Sequence, residues 1–324
     1  MTEGERTGPV VVTGGAGAIG SILVRELLAR GRPVRVIDNL SSGQRENLPA
    51  TGSGSLSLTV ADVKEPDRYS AAFDGASELW HLAANGDVQR GASRPRLDLE
   101  EGTLATFAAL EEARRHDVRR AVFSSSSVVY GFPTVFPTPE SYGPLQPESL
   151  YGAAKLASEG LFSAYAHTYG FQVHLFRFAN IIGPRMTRGV LFDFFAKLKA
   201  DPRRLEVLGD GRQAKSYLRT EDCVGGMILA VEKAHDPVNV FNLGTADRIS
   251  VREIAERVVA AHGGTARIEY TGGARGWTGD VPQQLLAIDR IRALGWEPRF
   301  ASAGAVDLTI AELASPRGLG PART

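Results

Sequence analysis

Four serines, Ser124 to Ser127, stand in a row before Val128-Val129-Tyr130-Gly131, and one loop later come Tyr151 and Lys155 in Tyr151-Gly152-Ala153-Ala154-Lys155. A hydroxyl, a phenol and an ammonium brought to one point make a proton-transfer site. The spacing of four puts Tyr151 and Lys155 on one face of a helix, and the pattern predicts that helix over Leu150 to Tyr169. A free tyrosine ionises near a pKa of about 10, so service as a base at neutral pH needs roughly 3 units, about 4 kcal/mol, of help. One nearby cation supplies about 1 to 3 units. Lys155 alone falls short, and a second positive charge would complete the shift. Ser126 could hydrogen-bond the same reacting oxygen and relay its proton. By itself the Tyr151/Lys155 pair is an ordinary feature of an amphipathic helix, so the rest of the chain decides its meaning.

These groups need a frame that brings them together. Ala121, Val122 and Phe123 read as the end of a buried parallel strand, with the serines emerging where it stops. In an open α/β sheet that carboxyl edge is where ligands bind. Near the N-terminus, the strand Pro9-Val10-Val11-Val12 runs into Thr13-Gly14-Gly15-Ala16-Gly17-Ala18-Ile19-Gly20, then a helix over Ser21 to Arg30, then a second strand ending in Asp38. This is a βαβ unit whose glycines allow a tight turn and close approach of a pyrophosphate to a helix N-terminus. Asp38 is placed to hydrogen-bond a ribose 2′-hydroxyl, and it would repel a 2′-phosphate by up to ~4 kcal/mol per charge pair near a surface. That favours NAD over NADP; the nearby Arg45 softens this preference without reversing it. An oxidised nicotinamide ring is then the second positive charge that Tyr151 requires.

The alternation continues with Ser57 to Val60 leading to Ala61-Asp62-Val63, and Glu78 to Leu82 leading to Ala83-Ala84-Asn85. Helical runs over Arg96 to Arg115 and Leu150 to Tyr169 flank the serine strand, and Gln172 to Arg177 is a further strand ending in Phe178-Ala179-Asn180. Strands and helices alternating on this spacing predict an α/β fold, a doubly wound parallel Rossmann sheet with a smaller C-terminal substrate domain. Residues 1–180 form the first domain, 216–240 return to it, and 181–215 with 241–324 make the second. Gly183-Pro184, Asp201-Pro202, Gly209-Asp210-Gly211 and Gly272-Gly273 punctuate that second region. Ser315 to Thr324 reads as a frayed tail.

Composition narrows the function classes. The 324 residues are 43% hydrophobic and 23% charged, with 37 basic and 37 acidic side chains giving a formal net charge of zero. No basic stripe is present, so nucleic acid is a poor partner. A lone Cys223 makes neither an intrachain disulfide nor a cysteine metal site, and the six histidines show no paired spacing, so no metal is expected. His81 falls inside an apolar strand and reads as structural. No apolar run reaches membrane-spanning length and Met1 to Gly8 is polar, so the cytoplasm is the expected compartment.

Taken in order, Thr13-Gly14-x-x-Gly17-x-x-Gly20, Asp38-Asn39-Leu40, Asp62-Val63, His81-Leu82-Ala83-Ala84, the serine run and Tyr151-x-x-x-Lys155 resemble the extended short-chain dehydrogenase/reductases, and within them the UDP-galactose 4-epimerase-like sugar-nucleotide epimerases. The likeness runs on through Arg177-Phe178-Ala179-Asn180, Gly209-Asp210-Gly211-x-Gln213-x-Lys215-Ser216-Tyr217 and Asn242-Leu243-Gly244, so it spans roughly Val10 to Phe300. The resemblance implies a tightly held NAD, reduced and reoxidised within one turnover, and a 4-keto sugar that swings to present its other face. It implies cofactor contacts from Gly14, Gly17, Ala18, Ile19, Asp38 and Asn39, and from Ser42, Gly43, Asp62 and Val63. Leu82, Ala83, Ala84 and Ser124 complete them, with Tyr151 and Lys155. Ser126 takes the sugar 4-oxygen, with Ser125 and Ser127 as alternatives; Asn180, Lys215 and Arg275 serve as sugar or diphosphate partners. It also implies a homodimer built on the two helices. Two departures stand out: lysine at 215 where the family often has arginine, and Glu100-Glu101 where many members have an asparagine nearby.

The predicted function is therefore C4 inversion of a UDP-hexose. A dehydratase would need acids next to the catalytic serine, where this chain has Ser127 and Val128. A reductase or decarboxylase would release a net product, and a non-catalytic nucleotide-binding protein would have no use for a poised phenol. The sugar is open. Arg185 and Arg188 follow Asn180 closely and could pair with a C6 carboxylate, so UDP-glucuronate/UDP-galacturonate rivals UDP-glucose/UDP-galactose; both arginines could equally be solvated. Thymidine in place of uridine is also open.

Overall fold

The computed structural model describes residues 8–50, 54–86, 88–277 and 279–315. The chain begins with β1 (Val10–Thr13), α1 (Ala18–Ala29), β2 (Val34–Asp38), β3 (Leu56–Val60) and β4 (Glu78–His81). Next come α2 (Val88–Ser93), α3 (Pro95–Asp98), a π-helical turn (Leu99–Leu104), α4 (Ala105–Arg115), β5 (Arg120–Ser126), α5 (Leu150–Tyr169) and β6 (Gln172–Phe178). The second half holds β7 (Asn180–Ile182), α6 (Val190–Ala200), β8 (Arg204–Val207), β9 (Ala214–Lys215), β10 (Tyr217–Arg219), α7 (Thr220–Lys233) and β11 (Val238–Leu243). It ends with β12 (Ile249–Ser250), α8 (Val251–Ala261), β13 (Arg267–Tyr270), β14 (Gln283–Gln284), α9 (Asp289–Ala293) and α10 (Ser302–Ala314).

Seven strands form one parallel sheet in the order β11-β6-β5-β4-β1-β2-β3. The order reverses between β1 and β4, which opens a crevice at their carboxyl ends. Apolar strand residues bury both faces. On one, Leu23, Val24 and Leu27 of α1 meet Met227 and Val231 of α7 over Val12 and Val36. On the other, Ala109 and Leu110 of α4 meet Phe162 and Tyr165 of α5 over Phe123 and Leu175. A third apolar cluster joins Leu191, Phe194, Leu205, Ile254, Val258 and Ile310 beneath the short strands of the second half. The sheet and these flanking layers form a Rossmann-like α/β fold.

The serine strand differs from its sequence reading. β5 runs three residues past Phe123, because Ser124, Ser125 and Ser126 go on pairing with Phe176, Arg177 and Phe178 after the pairing with β4 has ended at His81. The run over Arg96 to Arg115 is also not one regular helix: α3 and α4 are joined by the π-helical turn, which buries none of its residues and leaves Leu99 and Leu104 exposed. Among the described residues no helix is long and apolar enough to cross a membrane, and no group of His, Cys, Asp and Glu could hold a metal ion.

Candidate active site

Local chemistry fixes where Tyr151 and Lys155 sit. The Ser149 hydroxyl accepts the Gly152 N–H at 3.0 Å and caps α5, while Gly170, at φ 71°, ends it in the left-handed region that glycine tolerates. Tyr151 therefore lies in the first turn and Lys155 one turn further, beside the end of β5. The Ser126 hydroxyl, which accepts the Val128 N–H at 3.4 Å, lies near enough to the Tyr151 phenol to favour its ionised form. Lys155 is buried; its Nζ donates to the Ser124 carbonyl at 2.6 Å and lies 4.7 Å from the Phe123 ring centre and 5.7 Å from that of Tyr151. Ser126, Tyr151 and Lys155 thus meet at one point, at the sheet's carboxyl edge.

The electrostatics differ from the simple activation argument. Burial pushes the Tyr151 phenol up to about 12, the Asp98 carboxylate pushes the same way, and only the Ser126 hydrogen bond opposes them. Burial also pulls the Lys155 ammonium down to about 7, against the carboxylates of Glu159 and Asp98, which favour its charge. The protein by itself thus holds the phenol protonated, and the cation that turns it into a base has to arrive with what binds. Asp98, itself buried, was missed by sequence reasoning, since nothing in Pro95-Arg96-Leu97-Asp98 distinguishes it from a first-turn helix acid.

Two buried networks hold this point rigid. Glu159, one turn beyond Lys155, pairs with Arg177 at 2.7 Å and accepts the Ser125 hydroxyl at 2.5 Å. Ser125 borders the cavity, but its hydroxyl is directed into this pair and not toward a ligand. The Arg177 guanidinium also donates to the Tyr130 hydroxyl at 3.1 Å, and that hydroxyl donates to Asn242 at 2.7 Å. His81 is wholly buried, with its ring nitrogens 2.7 Å from the Thr13 hydroxyl and 3.1 Å from that of Thr106. Burial, helped by the Lys155 charge, pushes its pKa down to about 3, so the ring is a neutral brace between β1 and α4.

The glycine-rich turn fits a dinucleotide. A Cβ on Gly14, whose φ is 70°, would fall 2.7 Å from the Ala83 nitrogen, and one on Gly20 would fall 2.2 Å from the Gly14 carbonyl. Only bare backbone brings turn, helix and neighbouring strand this close. α1 begins after the N-cap Gly17, which makes no side-chain cap hydrogen bond, so its first-turn amides are not capped by a side chain of that residue and are of the kind that bind an anion. Asp38 is held at the end of β2 by the Ala16 and Leu40 amides at 2.9 and 2.8 Å, and Gly43 packs against Ala16 and that carboxylate. A cavity of about 100 Å³ lies here, lined by Gly14, Gly17, Asp38, Asn39, Ser42 and Asp62, together with Val63, Leu82, Ala83, Ala84 and Glu101. Ser124 lies outside it, behind Lys155, which its carbonyl holds.

A much larger cavity, about 750 Å³, opens on the other side of Tyr151. Ile19, Ser125, Ser126, Ser127, Asn180 and Lys215 border it. Ser127 accepts the Gln284 side-chain amide at 2.8 Å, and Asn180 reaches the Gln284 carbonyl oxygen at 3.4 Å. Lys215 is paired with the buried Asp280 at 2.6 Å. Two arginines lie elsewhere: Arg275 stacks 4.5 Å over the Phe132 ring, and Arg185 faces Arg25 and Glu221. Burial, then Arg25, lowers the Arg185 pKa. Arg188, not Arg185, is the arginine of that loop that borders the cavity. Gln284 also escaped the sequence reading, because it is 157 residues from the serine it holds.

Comparison with known proteins agrees with this geometry. Residues 10–244 match the family described as NAD dependent epimerase/dehydratase. The chain is 34% identical to a UDP-glucose 4-epimerase of Mycolicibacterium smegmatis, over 93% of this chain and 96% of that one. It is 32% identical to UDP-glucuronic acid decarboxylase 1 of Arabidopsis thaliana, over 90% of this chain and 66% of the relative. A crystal structure of UDP-galactose 4-epimerase superposes with a TM-score of 0.85 at 40% identity, covering 94% of this chain and 98% of that one.

Proposed function

We propose, for a chain that belongs to the NAD dependent epimerase/dehydratase family and takes NAD as its cofactor, that it inverts C4 of a UDP-hexose, with UDP-glucose/UDP-galactose as the first pair. The observation that carries this reading is that Ser126 and Tyr151 both border a cavity of about 750 Å³ with the buried Lys155 beside the phenol ring. Bound NAD supplies the redox chemistry at C4. Tyr151 accepts the proton of the sugar 4-hydroxyl and returns it after the 4-keto sugar has turned over. Ser126 holds the same oxygen and relays the proton. Lys155, fixed by the Ser124 carbonyl, supplies positive charge beside the phenol. Asn180 and Lys215 are the proposed sugar and diphosphate contacts on the far wall, while Asp38 would take the ribose hydroxyls of NAD.

Dehydration fits the cavity less well. It needs an acid and a base beyond Tyr151, yet the residues after Ser126 are Ser127, already engaged with Gln284, and the aliphatic Val128. One observation favours a second reading within the same reaction: Arg188 borders the cavity and could pair with a C6 carboxylate, making UDP-glucuronate/UDP-galacturonate the substrate pair. A homodimer is also proposed, since Leu104 and Phe107, at 49% and 48% exposure, leave an apolar face on the α4 side of the molecule.

The test is chromatography of products after incubation with UDP-glucose and, separately, UDP-glucuronate, with no NAD added. A C4 epimer from either supports both the reaction and a carried cofactor, and the faster substrate identifies the sugar. No product from either, with or without NAD, overturns the epimerase reading.

A further inference from the structure

The narrow cavity has an outer wall that neither the glycine turn nor the catalytic point accounts for. Lys64 follows Asp62-Val63 directly, and its Nζ lies 2.5 Å from Glu101 Oε1 and 3.6 Å from Asp62 Oδ2. Asp62 is held in turn: one oxygen accepts the Lys64 amide at 2.9 Å and the other faces the Asn39 side-chain amide at 3.4 Å. Asn39, Asp62 and Glu101 all line the cavity. The series Asn39–Asp62–Lys64–Glu101 thus runs from the end of β2, past β3, to the π-helical turn, with three of its members on the cavity lining and the half-exposed Lys64 joining two of them.

The two ends of this bridge are not equally mobile. Glu101 sits on the π-helical turn, and a Cβ on its neighbour Gly102 would lie 2.8 Å from the Ala154 Cβ, so that turn is pressed against α5 one residue before Lys155. π-helical turns of this kind are frequent at functional sites. Lys64 has a flexible stem on a loop, and the side chains of the pair keep 30% and 27% exposure. A fixed carboxylate and a swinging ammonium across a crevice mouth form a bridge that can open and close.

We propose that the Lys64–Glu101 ion pair is a clasp over the dinucleotide crevice that slows the escape of NAD, so that the cofactor stays with the chain between turnovers. Lys64 and Glu101 are positioning residues in this account; neither touches the reacting atoms. The proposal requires NAD binding and nothing about which sugar is turned over, so it can fail while the epimerase reading stands, and the reverse.

The test measures release of NAD from loaded protein after rapid gel filtration, by chromatography of the nucleotide that leaves. Lys64→Ala and Glu101→Gln are each expected to release NAD about five times faster, the effect of an exposed ion pair. The double variant is expected to be no faster than either single one, and Lys64→Arg to restore slow release. High salt is expected to speed release from the original chain and to leave Lys64→Ala unchanged, because the pair is screened. Unaltered thermal unfolding of the NAD-free variants would separate a clasp from a general loss of stability. Release rates that do not change, single effects that simply add, or an original chain that fails to retain NAD through gel filtration would each overturn the proposal.

Discussion

The two ends of the crevice are built in opposite ways. The cofactor end is narrow, about 100 Å³, and its walls come from the carboxyl ends of successive strands: Gly14 and Gly17 after β1, Asp38 and Asn39 after β2, Asp62 and Val63 after β3, Ala83 and Ala84 after β4. The sugar end is wide, about 750 Å³, and is assembled from distant pieces such as Ser127 with Gln284 and Lys215 with Asp280. The first is walled by backbone that admits no side chain at Gly14 and Gly20. On the proposed reading the second leaves room for a sugar that has to turn. Tyr151 borders the wide cavity, and Lys155 is buried one helical turn behind it.

The comparison breaks most visibly if the catalytic point also holds the cofactor. Tyr151→Phe removes the proton acceptor and keeps the ring, so kcat is expected to fall by about 10²- to 10⁴-fold while the amount of NAD copurifying with the protein stays the same. Loss of NAD together with activity would show that the phenol belongs to the cofactor end as well.

The next effect belongs to the cofactor end alone. Asp38 accepts the Ala16 and Leu40 amides, and a carboxylate hydrogen bond to a ribose is worth about 1.5–3 kcal/mol. Asp38→Asn is expected to weaken NAD binding about ten- to hundred-fold and to narrow its margin over NADP, as measured by titration of the NAD-free protein. The KM for the sugar nucleotide, measured at saturating NAD, is expected to be unchanged.

That division also explains what the sequence could and could not reveal. At the cofactor end, neighbours in space are neighbours along a repeating strand–helix pattern, so the glycine turn and Asp38 stand out by spacing, while Asp62 stood out through the family resemblance. At the sugar end, a side chain's type does not determine its partner. Ser125 turns to the buried Glu159, Arg275 stacks over Phe132, and Arg185 does not border the cavity at all. Gln284 and Asp280 lie on a segment whose only regular element near the cavity is the two-residue strand β14. Asp98 and Glu101 were hidden for another reason: an acid in a helical run carries no sign of whether it is buried, and the π-helical turn that holds Glu101 does not show in the sequence.

A smaller effect tests the coupling between the two ends. Asp98 raises the pKa of both Tyr151 and Lys155. Asp98→Asn is therefore expected to lower both. The Lys155 ammonium, held at about 7 by burial, is lost as pH rises through that value, and without the Asp98 charge the loss begins at lower pH. A profile of kcat/KM against pH is expected to show its Lys155-dependent limb displaced to the acid side, with an effect of a few-fold at pH 7. An unmoved limb would mean that Asp98 acts on neither group during turnover.

The smallest expected effect is at the sugar end, where two arginines of one loop part company. Arg185 has φ 65°, a left-handed conformation uncommon for residues other than glycine, and unlike Arg188 it is not among the residues bordering the cavity. Arg185→Gly removes the charge and relieves the backbone, so thermal stability is expected to stay level or rise slightly, and the ratio of kcat/KM for UDP-glucuronate to that for UDP-glucose to change by less than about two-fold, well under the 1.4 kcal/mol that a tenfold change represents. Arg188→Ala, at the cavity wall, is the variant expected to lower that ratio if an acidic sugar is bound. Were Arg185→Gly to shift the preference and Arg188→Ala to leave it alone, the loop would have to move on binding, and the wide end would be a space shaped by its ligand rather than one waiting for it.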